Sequence, residues 1–321
     1  ANCRLVNSIP KEVTILDEAN LTFLPKSIKN PVEVENERIA HIKDGVALTK
    51  FICWLKKNVG KIPMTELSAG EKLYSFRAQQ ENFIDNSFDP IISYGIHAAI
   101  NHYSATPETD IAIEPGNFLL ADTGGHYYEG TTDTTRTIVM GSVNDEQKKY
   151  FTAVLRGMLN LGNAKFRYGC TGVNLDYLAR GPLWEMGQDF NHGTGHGVGY
   201  LLNVHEGPNS FRWRIIQGDN AVLEEGMITS DEPGYYVENQ YGIRHENLLV
   251  CKKAEKTTFG QFMCFEHLTM VPFDLDAVVP ELMTVQERAL LNNYHAQVYK
   301  KISPYLEEEE KEWLKEATRE I

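Results

Sequence analysis

Two aspartates, Asp122 and Asp133, stand eleven positions apart in the run 117–139, NFLLADTGGHYYEGTTDTTRTIV. The apolar stretch 118–120, the glycines Gly124, Gly125 and Gly130, and the β-branched tract 134–139 predict a β-hairpin with one aspartate at the inner end of each arm. Asp is depleted in strands because its short carboxylate competes with the backbone for hydrogen bonds. Asp beside Gly is also ordinary turn chemistry, and that alone accounts for Asp122-Thr-Gly-Gly. Two carboxylates brought together across a hairpin, however, repel unless a cation lies between them. Metal binding is the chemistry to look for, and further ligands must come from elsewhere.

Three other stretches offer them. His192-Gly-Thr-Gly-His196-Gly-Val-Gly199 carries two histidines four apart, but every second residue is glycine and the Glu of a zincin helix is absent. The reading is an extended loop whose glycines let the backbone approach a neighbour closely. In Ser230-Asp-Glu232-Pro-Gly-Tyr-Tyr236, proline keeps Glu232 extended at a strand end and Pro-Gly suits a type II turn. A solvent-facing turn residue is the alternative reading of Glu232. In Gly242-Ile-Arg244-His245-Glu246, strand alternation places Arg244 and Glu246 on one face and His245 on the other. Arg244 can then neutralise and orient a carboxylate.

Two Asp, two Glu and one His form a hard, oxygen-rich donor set. One ion does not need four carboxylates, whereas two divalent ions about 3.5–4 Å apart do. Such a set suits manganese, cobalt or iron better than a structural zinc.

The 321-residue chain carries 31 basic and 44 acidic residues, a net charge of −13. With no Lys/Arg block, nucleic acid and anionic membrane surfaces are poor partners. No apolar run reaches the roughly 18 residues of a membrane span. The five cysteines are widely spaced and mostly in apolar context, as in a cytoplasmic protein with reduced thiols.

The elements that must position these residues can be read coarsely. Residues 1–29 show strand-like pieces at 13–16 and 21–24 and read as the end of an upstream domain and a linker. Asn30-Pro31 starts a helix running to Gly60, with Ile39, Ile42, Val46, Phe51 and Leu55 on an apolar stripe. Thr65 caps a second helix to about Gln80. Residues 90–103 turn β-like. Asn144–Gln147 and Thr284–Glu287 are capping boxes opening further helices, another helix covers 175–186, and strands are expected at 227–228 and 241–250. Helix pairs followed by antiparallel strands occur in both halves, so the class is α+β with an internal duplication.

Asp122, Asp133, His196 in HGTGHGVG, Glu232 in DEPGYY and Glu246 in GIRHE resemble the five-ligand pattern of the pita-bread metallopeptidases. The fuller phrases EGTTDTTRT, HGTGHGVGYLLNVHEGP and ITSDEPGYY are similar to the cytosolic, eukaryotic-type X-Pro aminopeptidases within that group, from about residue 30 to the C-terminal helices. The resemblance implies a pita-bread catalytic domain over 30–321 with a pseudo-two-fold duplication. It implies two divalent ions, manganese first and cobalt, zinc or iron as alternatives, held by the five residues with Asp133 and Glu246 bridging. A metal-bridging hydroxide would attack the carbonyl between the first residue and proline, with Glu232 as general base. His205 in NVHEGP would stabilise the oxyanion, His192 would contact substrate and His102 in INHY would help move a proton, with His97 as the competing choice. Arg244 and Tyr236 would support this set. Peptides with N-terminal X-Pro, a homodimer and a cytoplasmic location are also implied. His245 departs from the apolar residue many relatives carry. The open alternatives are prolidase, a metal-free enzyme on the same fold, and a non-catalytic pita-bread binding module.

Overall fold

The computed structural model describes residues 3–16, 18 and 20–321. Its first elements are two single turns, α1 (Cys3–Asn7) and α2 (Phe23–Ser27), and the described residues from 3 to 26 are exposed. The strands expected at 13–16 and 21–24 do not form. A strand needs a ladder partner, and the first described bridge is made later, by Ile28 to Met227.

Helix α3 (Pro31–Asn58) starts at the expected place: the Asn30 side chain accepts from the N–H of Val32 and Glu33, and Glu33 reaches back to Asn30 N–H. Ile39 is exposed rather than inward. The buried face of this first half is polar, Glu37, His41 and Asp44, because it packs on the tip of the 117–139 segment. Helix α4 (Glu66–Arg77) is capped by Thr65 and packs against α3. Strand β1 (Phe83–Asn86) and β2 (Ile91–Tyr94) follow, and after Tyr94 the φ of 56° at Gly95 breaks the extended run into a 3-10 turn over Gly95–Ala99. The β-like reading of 90–103 therefore holds for its first residues only.

The 117–139 segment is more than a hairpin. Strand β3 (Asn117–Thr123) pairs with β6 (Thr134–Met140), but the connection folds into β4 (Gly125–Tyr127) and β5 (Gly130–Thr131), which join β1 in a separate sheet. Asp122 lies opposite Thr135, and Asp133 sits one residue before β6 begins. The sheet β2-β3-β6 is backed by α3 and α4 through Leu48, Phe51, Leu55, Leu73, Leu119 and Ile138.

The second half is built from a similar set of elements, with a strand between its two helices. Helix α5 (Asp145–Gly162) is opened by the Asn144/Gln147 capping box, then come β7 (Lys165–Arg167) and α6 (Tyr177–Trp184). Phe151, Val154, Leu155 and Met158 of α5 are buried, each contributing about 1.5–3 kcal/mol. After β8 (Gly195–His196) and β9 (Ser210–Phe211) come β10 (Ile228–Asp231), β11 (Gly234–Val237), β12 (Tyr241–Arg244), β13 (Asn247–Thr257) and β14 (Gly260–His267). The larger sheet has the order β10-β13-β14-β7, and β11 pairs with β12. The single strand expected at 241–250 is thus two strands. Between them the backbone changes partner: His245 N–H donates to Pro233 O at 3.3 Å and Glu246 N–H to Thr135 O at 3.1 Å.

That last bond, with Thr137 Oγ1 donating to Arg244 O at 2.9 Å, joins the two halves along β6 and β12. Helices α7 (Val285–Ile302) and α8 (Glu308–Ala317) close the core through Leu291, Val298 and Leu314.

Candidate metal centre and catalytic cleft

The five proposed ligands sit at the ends of strands, where the ladder has stopped consuming backbone groups but still fixes direction. Asp122 is near the end of β3, His196 ends β8, Glu232 follows β10, and Glu246 lies in the break between β12 and β13. Donor atoms of Asp122, Asp133 and Glu246 lie within 4.8 Å of one another, as do those of His196, Glu232 and Glu246 and those of Asp133, His196 and His205. These overlapping groups bring all five together with His205. His196 Nε2 is 3.4 Å from Glu232 Oε1 and 3.5 Å from Asp133 Oδ2.

Neighbouring side chains set the orientation of each. His196 Nδ1 donates to the Gly197 carbonyl at 2.9 Å, which turns Nε2 toward the carboxylates. Ser230 Oγ accepts from His196 N–H at 2.9 Å and donates to Glu232 Oε1 at 3.0 Å. Thr135 Oγ1 donates to Glu246 Oε2 at 2.7 Å. Gly195 and Gly197 explain the glycine alternation: a side chain at either would collide with the carbonyl of Ser230 or of Glu206.

The electrostatics are those of a crowded acid cluster. Burial, with Asp133, Glu232 and Asp122 nearby, pushes the Glu246 carboxyl well above its ordinary range, and burial lifts Asp133 as well. Glu232 is raised by burial to about 7. Burial works against a charged His196, yet Asp133 and Glu232 outweigh it and lift the imidazole to about 9. Asp133 Oδ1 and Glu246 Oε1 are buried without a hydrogen-bond partner. Lone pairs desolvated in this way are costly unless a cation takes them, so the donor set fits divalent metal.

Beside the cluster, Arg244 Nη2 donates to Asp122 Oδ2 at 2.5 Å and its Nη1 to the Tyr236 hydroxyl at 2.7 Å. Tyr236 donates on to His192 Nε2 at 2.9 Å, while His192 Nδ1 donates to Gly193 O at 2.7 Å. His192 is therefore held neutral, and burial beside Arg244 depresses it to about 3. His205 packs edge-on against His196 with centroids 4.1 Å apart, and burial with His196 nearby lowers it to about 4. Asp122, His192, His196, His205 and Arg244 line one cleft of about 530 Å³ together with His102.

His97, the competing choice, does not line this cleft; it turns back to Glu66. His245 is buried against Phe151 and Phe273, off the ligand face as alternation required, although the strand itself is broken there. Sequence reasoning passed over Ser230 and Thr135. Their signal was adjacency, since each lies two residues from a ligand in the same run. It also passed over Arg212, whose Nε donates to Asp219 Oδ2 at 2.5 Å in the cleft wall.

The pita-bread architecture with an acid-rich cleft at its centre defines a class. The chain belongs to metallopeptidase family M24, whose model matches residues 35–253, and the model for the C-terminal region of that peptidase family matches 261–321. Among its relatives is the probable Xaa-Pro aminopeptidase P of Paracoccidioides brasiliensis (strain Pb03), 43% identical over 303 residues that cover 92% of this chain and 49% of that protein. The crystal structure of X-prolyl aminopeptidase from Caenorhabditis elegans, a cytosolic enzyme with a di-nuclear active site, superposes with a TM-score of 0.89 at 37% identity. That match covers 94% of this chain and 50% of the nematode chain. Prolidase from Pyrococcus furiosus matches at 28% identity and a TM-score of 0.61, over 78% of this chain and 67% of that one. The chain spans about half the length of the curated relatives it matches.

Proposed function

We propose that this chain is a dinuclear metal-dependent aminopeptidase that removes the N-terminal residue from peptides with proline in second position. The observation that carries this is the convergence of Asp122, Asp133, His196, Glu232 and Glu246 at one end of a cleft also lined by His102, His192 and His205. The five residues would hold two divalent ions. Asp133, His196 and Glu246 each belong to two of the overlapping groups, which supports one shared donor set for the two ions. When bound, the ions would supply Lewis acidity and make the attacking water more acidic.

The chain's own residues do the rest. Glu232 takes up the proton released on attack, with Oε1 steadied by Ser230. His205, packed on His196, stabilises negative charge on the carbonyl oxygen. His192 presents a fixed neutral ring to the substrate, and His102 carries a proton at the mouth of the cleft. Arg244 holds Asp122 in place and, through Tyr236, His192 as well. Proline in second position has no amide hydrogen and a ring-locked φ, so a pocket shaped to the ring selects it.

The oxygen-rich donors favour manganese, with cobalt, zinc or iron as substitutes. We assign the catalytic unit to residues 30–321 and residues 1–29 to the end of an upstream region and a linker. A cytoplasmic location is supported by the free cysteines and by the description of the nematode enzyme as cytosolic. The homodimer rests on the family resemblance. No helix among the described residues is long and apolar enough to cross a membrane.

The test is a peptide panel of Ala-Pro, an X-Pro-Pro tripeptide and Met-Ala-Ser, run with and without added manganese. Release of the first residue from X-Pro-Pro supports the proposal. Cleavage of the dipeptide alone replaces it with prolidase. No cleavage by protein carrying two equivalents of metal replaces it with a binding module.

A further inference from the structure

His102 reaches the cleft on a segment with little regular structure. Strand β2 ends at Tyr94, a 3-10 turn covers Gly95–Ala99, and further turns lead to Tyr103. One carboxylate ties both ends of this segment. Glu66, the first residue of α4, is buried, and its Oε1 accepts from Tyr94 N–H at 2.7 Å. Its Oε2 accepts from the Tyr103 hydroxyl at 3.1 Å. His97 Nδ1 lies 3.0 Å from each oxygen, and a carboxylate can only accept, so this ring nitrogen donates.

The His97 and Tyr103 rings stack, with centroids 4.2 Å apart and planes at 27°. The Tyr103 hydroxyl also sits 3.0 Å from Thr109 Oγ1, from which it can accept while donating to Glu66. The opposite side is closed by β12, where a side chain at Gly242 would collide with the Ala98 carbonyl. The turn is thus wedged between Glu66 and the strand that carries Arg244. Tyr103 directly follows His102, so anchoring it restricts where the His102 ring can lie.

We propose that Glu66, His97 and Tyr103 are positioning residues, a hydrogen-bonded staple that holds His102 at the mouth of the cleft. The inference rests on the reading of His102 given under the proposed function. It also separates two histidines five positions apart: His102 faces the cleft, and His97 fixes the loop from behind.

The test uses the whole chain, loaded with zinc so that it is diamagnetic, with two readouts. The first is the His102 ring resonance in histidine-labelled protein, assigned by its loss in His102→Ala. In His97→Ala it should shift or broaden, while the resonances of buried His41 and His295 stay in place. The second is turnover of an X-Pro-Pro tripeptide. In His97→Ala kcat should fall about tenfold with KM little changed, and His97→Gln, which keeps a donor, should recover most of the loss. In a His102→Ala background, His97→Ala should cost nothing further.

An unmoved His102 resonance in both His97→Ala and Tyr103→Phe overturns the staple, as does the same kcat loss in both backgrounds. If His97→Ala fails to fold, Tyr103→Phe, which loses one hydroxyl, decides the matter. Unmodified protein that cleaves no X-Pro peptide overturns the proposed reaction instead, and the resonance still judges the staple.

Discussion

Arg244 and Asp122 are joined by a 2.5 Å ion pair between side chains that come from different halves of the chain. Both are buried, so removing either one leaves the other's charge uncompensated. Arg244→Met should leave Asp122 without its counter-charge and release Tyr236 from His192. We expect activity to fall at least a hundredfold, roughly 2.7 kcal/mol or more, and Arg244→Lys to rescue little because one ammonium cannot reach both partners. Steady-state kinetics with metal content measured in parallel checks this.

Glu232→Gln keeps the size and the contact to Ser230 but loses the group that takes up a proton. Turnover should drop by about 10²–10⁴-fold with the circular dichroism spectrum unchanged. Retained activity would remove Glu232 from the mechanism.

His205→Ala and His245→Ala should separate rate from stability. His205 lies at the cleft, so its loss should lower kcat with the melting temperature nearly constant. His245 is buried with its ring 4.3 Å from that of Phe151, so its truncation should leave a cavity costing about 2–4 kcal/mol. Turnover per folded molecule should stay close to normal. Thermal melts and kinetics on both variants check the assignment, and the reverse pattern would refute it.

Acid should destabilise the fold through histidines buried in neutral form. Burial depresses His41 to about 4 and His295 to about 3, from an ordinary 6.5. His295 Nε2 accepts from Phe273 N–H at 3.1 Å, which a protonated ring cannot do. Between these values and 6.5 the unfolded chain binds more protons. Their contribution is therefore complete above pH 6.5 and is lost as pH falls toward 4 and 3, by about 1.4 kcal/mol per pH unit for each. Urea unfolding at pH 7, 6 and 5 measures the slope, and His295→Gln should reduce it.

Chelation should lower the melting temperature. The cluster holds four acids, and the buried oxygens Asp133 Oδ1 and Glu246 Oε1 have no partner. An ion at a hundredfold excess over its Kd stabilises by about 2.7 kcal/mol. Protein stripped with chelator should melt several degrees lower, and added manganese should restore the loss. Asp133→Asn should abolish the difference.

Much of this molecule could be read locally. The helix starts at Asn30, Thr65, Asn144 and Thr284 were legible because a cap and its partner lie within three residues. The candidate ligands were legible because each sits in a short run of glycine, proline or threonine that a plain strand or helix does not need. What periodicity could not supply was anything joined over long distance in the chain. The break at His245 and Glu246 exists because Pro233 and Thr135 take over their N–H groups, and Thr135 lies 111 positions away from Glu246. The folding of the 117–139 tip onto β1, the exposure of Ile39 and the pairing of His97 with Glu66 have the same origin. Residue type and spacing determined which groups are present and what they can bind. Only the packing of two halves decided which way each one points and how far each carboxylate is removed from water.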